Sequence, residues 1–104
     1  MKYARMMRAK GPINGDGVQE VLQEVMEHSA EVDGFDGMTF YADPTLGEMF
    51  SIAHYLTLEA LETAMNDTST EPDSYRMRQL RRIKFRPLSE SRLIVVAYTD
   101  VSSA

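Results

Sequence analysis

Residues 34 to 65 form an unbroken run of two alternating segments, a turn and an amphipathic helix, and no other stretch of the chain constrains its fold so strongly. The alternation predicts one strand over residues 37–42 and a second over 48–55. They pair antiparallel through a connection that contains Pro44 and Gly47, residue types that favour a chain reversal. Thr57 is the expected N-cap of a helix over residues 58–66, whose Leu58, Leu61 and Met65 fall at i, i+3 and i+7.

Ahead of this run, residues 3–10 alternate in the manner of a strand. Tyr3, Arg5, Met7 and Ala9 share one face, and Ala4, Met6 and Arg8 share the other. The Gly- and Pro-rich residues 11–17 read as a loop, with Asp16 the expected N-cap of a helix over 17–31. Val18, Val21, Leu22, Val25, Met26 and Ser29 form its apolar stripe, and Gly34 is the expected left-handed residue that closes it.

Downstream, residues 67–73 are polar and read as a loop. An arginine-rich helix over 74–83 cannot continue through Pro87. The apolar run Leu93-Ile94-Val95-Val96-Ala97-Tyr98 predicts a last strand over 91–101, beyond which the chain should fray. The order strand, helix, strand, strand, helix, strand, with right-handed crossovers, predicts an α+β fold of the ferredoxin-like βαββαβ plan. That plan is a four-stranded antiparallel sheet with helices on one face.

A sheet covered on one side should carry one apolar and one wet face. Here the strand at 48–55 places Phe50 and Ile52 opposite Met49, Ala53 and Tyr55, and the last strand also carries apolar residues on both faces. The open face therefore calls for a second copy of the chain, and a homodimer is the expected assembly.

At 104 residues, with 43% hydrophobic and 26% charged residues, the chain reads as one globular domain over 1–104. The absence of cysteine excludes disulfides, thiolate nucleophiles and thiolate metal sites. Two histidines, His28 and His54, supply little for metal chemistry. The N-terminal segment lacks the apolar core of a signal peptide and nothing reads as a membrane span, so a cytoplasmic protein is expected. Its net charge of −5 disfavours nucleic acid, yet that charge is segregated: residues 11 to 75 contain no Lys or Arg, and Arg76, Arg78, Arg81, Arg82, Lys84 and Arg86 then follow closely. This cluster is either an anion site or a solvated helix face that pairs with the acidic first helix.

Several residues carry alternative readings. His54 has the intrinsic pKa of a general base for a phenol, or is a strand histidine bonded to a neighbour. Tyr55, Tyr41, Tyr3 and Tyr98 either line an aromatic slot and bond a quinone-like oxygen or pack the core and a dimer interface. Asn66 either orients a substrate oxygen or caps a helix. Arg5 and Arg8, on opposite strand faces, cannot enter one pocket together; one of them binds an anionic substituent, or both are edge-strand charges. Eight methionines supply an adaptable apolar cavity or plain core. No Gly-x-Ser-x-Gly elbow, phosphate loop or metal-ligand cluster supports a hydrolase, kinase or dehydrogenase.

Across nearly its whole length the chain resembles the dimeric α+β barrel proteins, and among them the antibiotic biosynthesis monooxygenase-like domains. The resemblance is carried by Gly34-Phe35 with Gly37, by Tyr41-Ala42-Asp43-Pro44, and by Phe50 through Leu58-Glu59-Ala60-Leu61-Glu62. It implies a pocket between sheet and helices for an aromatic or quinol-type small molecule, oxidised by O₂ without metal or flavin while the protein deprotonates and orients it. Where many relatives carry Glu-x-Trp this chain has Ala53-His54-Tyr55, and where they carry a second-helix histidine it has Ala64. An apolar-ligand-binding or accessory homodimer, and an isomerase or lyase using the same pocket, are the other functions such a domain would serve.

Overall fold

The computed structural model describes residues 2–66 and 74–99. Strand β1 (Tyr3–Lys10) leads to helix α1 (Val18–Ser29), the hairpin β2 (Phe35–Asp43) and β3 (Glu48–Tyr55), helices α2 (Leu58–Asn66) and α3 (Tyr75–Arg82), and strand β4 (Arg86–Ile94). The strands form one antiparallel sheet in the order β2-β3-β1-β4, which is the ferredoxin-like plan. β1 therefore lies inside the sheet, paired with β3 from Tyr3 opposite Tyr55 to Lys10 opposite Glu48, so Arg5 and Arg8 are not edge charges.

The hairpin turns because the Asp43 carboxylate accepts the amides of Thr45 and Leu46 at 3.0 and 3.2 Å, while Gly47 takes a positive φ of 65°. Thr57 caps α2 as expected, its hydroxyl accepting the Ala60 amide at 3.1 Å, and Ser74 does the same for Met77 at the start of α3. The helices cover one face of the sheet in two packed clusters. Ala9, Val18, Val21, Met49, Ile83 and Phe85 form one; Ala53, Tyr55, Ala60, Leu61 and Ala64 form the other.

The structure corrects several of these expectations, and β2, expected over 37–42, runs over Phe35–Asp43. Asp16 does not cap α1: Gly17 stands at that position in the left-handed conformation, and no side chain bonds there. The helix ends at Ser29, so Gly34, with φ 92°, instead shapes the start of β2, where the Leu56 amide donates to its carbonyl. Leu58 is exposed, and α2 turns Ala60, Leu61 and Ala64 inward in its place.

The largest shift is in β4, which runs over Arg86–Ile94 rather than 91–101. β1 must be paired along its whole length, from Lys10 opposite Arg86 to Tyr3 opposite Ile94, and that requirement outweighs the more apolar run downstream. Pro87 fits because a register shift opposite Arg8 and Ala9 places it in an irregular, edge-strand position. Val96 and Tyr98 follow the strand, 95% and 63% exposed. The expected polar loop at 67–73 and the fraying end at 102–104 lie outside the described residues.

Candidate functional site

The clearest concavity lies between the sheet and the helices, a void of about 80 Å³, several times the ~10–15 Å³ that one water requires. Its wall is mainly apolar, with Met7, Leu22, Val25, Met38, Phe40 and Leu80 among the lining residues. Side chains reach it because residues at alternate positions of a strand share one face. Tyr3, Arg5, Met7 and Ala9 of β1 lie opposite Tyr55, Ala53, Ser51 and Met49 of β3, all turned toward the helices.

Two arginines and a tyrosine give this apolar chamber its polar side. Arg5 is 3% exposed; its Nη1 donates to the Ala64 carbonyl at 3.0 Å and its Nη2 to the Tyr55 hydroxyl at 3.1 Å. Tyr55 is fully buried, with Phe35 edge-on at 6.0 Å between ring centroids. Arg76 of α3, 7% exposed, faces Glu90 of β4 at 3.6 Å. Burial holds the Arg76 pKa below the ordinary arginine value, the Glu90 carboxylate opposes that fall, and the neighbouring charge of Arg5 adds to it. His28 of α1 borders the same cavity and stacks on Tyr75 with 3.8 Å between ring centroids and an interplanar angle of 16°.

The expected site residues do not all converge here. Tyr55 and Arg5 meet at the cavity, in hydrogen-bond contact. His54 does not reach it: it follows Ala53 and precedes Tyr55 on β3, and consecutive strand residues point to opposite faces, so its ring lies on the open side of the sheet. Tyr41 is also on that side, stacked on Phe50 at 4.9 Å, and Tyr98 stands at the surface with the Lys2 ammonium 4.1 Å from its ring centroid. Asn66 ends α2, and its side chain lies outside the described residues.

The structure adds His28 and Arg76, both of which carry a signal in the sequence. His28 stands three residues after Val25 and seven after Val21, and Arg76 precedes Leu80 and Ile83 by four and seven, so each occupies the buried stripe of its own helix. The arginine cluster divides accordingly. Arg82 forms an ion pair with Glu24 of α1 at the surface, as a solvated face would, while Arg76 turns inward. Among the described residues no group of His, Asp and Glu gathers in a metal-binding arrangement, and no helix is long and apolar enough to cross a membrane.

A single antiparallel ferredoxin-like sheet with a mainly apolar chamber under its helices defines a class of small α+β domains. Within it, the chain has the same fold as solved structures described as an antibiotic biosynthesis monooxygenase and as a cofactor-independent oxygenase. It is similar to SnoaB, a cofactor-independent oxygenase from Streptomyces nogalater, with a TM-score of 0.65 and 13% identity over 96% of each chain. A structure described as an antibiotic biosynthesis monooxygenase gives 0.59 and 17% identity over 95% of this chain and 100% of that one. The heme-degrading protein Rv3592 of Mycobacterium tuberculosis gives 0.58 and 14% identity over 96% and 100%. No family profile matches the sequence, and no protein of curated function matches it.

Proposed function

We propose that the chain is a monooxygenase-like protein that oxidises an aromatic or quinol-type small molecule in the cavity with O₂, without metal or flavin, as a cytoplasmic homodimer. One observation carries the reading: an apolar chamber under the helices whose buried polar edge is a tyrosine hydroxyl bonded to an arginine. The likeness in fold to SnoaB agrees with it.

In such a reaction a ring CH₂ made acidic by a neighbouring carbonyl loses a proton, and the resulting enolate is electron-rich enough to reduce O₂. One oxygen atom becomes a new carbonyl oxygen on that carbon and the other leaves as water, so the substrate supplies all four electrons that O₂ accepts and both hydrogens of the water. The protein's part is to orient the ring, remove the proton and hold the oxyanion. His28 is the imidazole at the cavity and the group placed to take the proton. Tyr55 and Arg5 are the donors toward the developing oxyanion.

A second reading, a ligand-binding or accessory homodimer, draws support from the position of His54 on the sheet face away from the chamber. An isomerase or lyase would use His28 in the same way without oxygen. The test is oxygen uptake by purified, metal-stripped protein against hydroquinones, naphthols and anthrone-like phenols. Uptake above the autoxidation blank that is lost in Tyr55→Phe and His28→Ala is expected. Binding without uptake in the wild type makes the chain a binder, and turnover that persists under nitrogen makes it an isomerase or lyase.

A further inference from the structure

Among the described residues the buried polar side chains are Arg5, Ser51 and Arg76, and all three line the chamber. Keeping a polar group out of water is costly unless a partner receives it. The two arginines have partners within the protein: Arg5 donates to the Ala64 carbonyl and the Tyr55 hydroxyl, and Arg76 is paired with Glu90. Ser51 differs from both. It is 4% exposed, and among the described residues no group is hydrogen-bonded to its hydroxyl.

The place of Ser51 in the sheet explains this. β3 is an interior strand, so its backbone groups are committed to the ladders with β1 and β2. Across those ladders Ser51 stands between Met7 and Phe40, which line the chamber beside it, and neither supplies a good partner for a hydroxyl. Packing at this position would be served by alanine, which leaves nothing unpaired. A serine hydroxyl donates one hydrogen bond and accepts others, so it suits a hydroxyl or a carbonyl oxygen on a ligand.

We propose that Ser51 is a specificity-determining residue of the chamber, its hydroxyl hydrogen-bonding an oxygen substituent of an aromatic ligand whose ring lies against Met7 and Phe40. The inference rests on the reading of the chamber as a ligand site and specifies which aromatic compounds it prefers: those with a hydroxyl or carbonyl directed at β3. Ser51 acts on the choice of ligand, separately from the proton transfer assigned to His28.

The test compares ligands that carry either a hydroxyl or a methyl group at one ring position, 2-naphthol with 2-methylnaphthalene and p-cresol with p-xylene, by fluorescence titration. The change in the affinity ratio between proteins isolates Ser51, since the apolar wall and the Tyr55 edge are common to wild type and variant. Ser51→Ala should lower the relative affinity for the phenol about fivefold, the worth of one hydrogen bond, and Ser51→Thr, which keeps the hydroxyl, should retain it. Without ligand, Ser51→Ala should melt no lower than the wild type, because it removes an unpaired group rather than a bond. A ratio unchanged in Ser51→Ala, or a lower melting temperature of the free variant, would overturn the inference while the chamber stays a ligand site. Failure of all four compounds to bind the wild type would overturn both.

Discussion

At the scale of single residues, two positions have little freedom. A Cβ added at Gly11 would lie 2.6 Å from Cγ of Phe85, a ring 5% exposed within the core. Gly11→Ala should therefore cost about 1–3 kcal/mol, as overpacking does elsewhere, read from urea denaturation. A loss well below that range would mean the Phe85 ring can yield. Tyr55 is constrained by chemistry instead. Tyr55→Phe keeps the ring but removes the hydroxyl that accepts from Arg5, so a stability loss of about 1–3 kcal/mol is expected along with loss of oxygen uptake. Retained uptake in that variant would remove Tyr55 from the proposed chemistry. Tyr55 and Arg5 were each legible in the sequence as a member of an alternating strand face, but that the two faces turn to the same helices comes from the β1–β3 pairing; His54 could not share a pocket with Tyr55, since neighbours on a strand diverge.

At the scale of elements, local patterns gave β3 and α2 their bounds because hairpin turn and cap residues mark both ends: Asp43 with Gly47, then Thr57. β4 was less legible. Its position is set by pairing with β1, a long-range demand that the alternation of its own residues does not express. α3 ends in a motif the sequence conceals, since Lys84 rather than glycine adopts a φ of 61°. The amides of Lys84 and Phe85 donate back to the carbonyls of Arg81 and Leu80 at 3.3 and 3.0 Å. A left-handed L-residue costs ~1–2 kcal/mol, and glycine returns ~0.5–1 kcal/mol of that through unfolded-state entropy. Lys84→Gly should thus raise stability by roughly 0.5–1 kcal/mol, and a loss would show the Lys84 side chain contributing contacts of its own.

The packing of α3 on α1 also predicts a pH effect. The hydrogen bond from Arg82 holds the Glu24 carboxyl below its ordinary pKa, so the contribution of the pair is present above the normal carboxylate pKa and lost as pH falls through the lowered value. Both groups are exposed, so the effect is small and weakens with salt. Glu24→Gln should lower the melting temperature slightly at neutral pH and make no difference once the carboxyl is protonated. A difference that persists in acid would assign the effect to helix packing rather than charge.

At the scale of the whole molecule, one side of the sheet lies under the helices and the other presents Met6, Phe50 and Ile52, half-buried, with Tyr41 and Leu93 exposed beside them. Strands about 4.8 Å apart and rising ~3.3 Å per residue give this face a footprint of roughly 500 Å². A stable interface needs ~800 Å² from each partner, so the sheet alone falls short and the segment beyond β4, with its exposed Val96 and Tyr98, is the apolar surface available to complete it. The proposed homodimer therefore depends on both parts. Light scattering should give a dimer for the wild type at micromolar concentration. Ile52→Glu, which places a charge opposite Met6 and Thr39 in the middle of the face, should give a folded monomer with unchanged circular dichroism. Val96→Glu, farther out, should shift the dimer to dissociate at higher concentration without abolishing it. A monomeric wild type would refute the pairing, and an Ile52→Glu protein that remains dimeric would place the interface on a different surface.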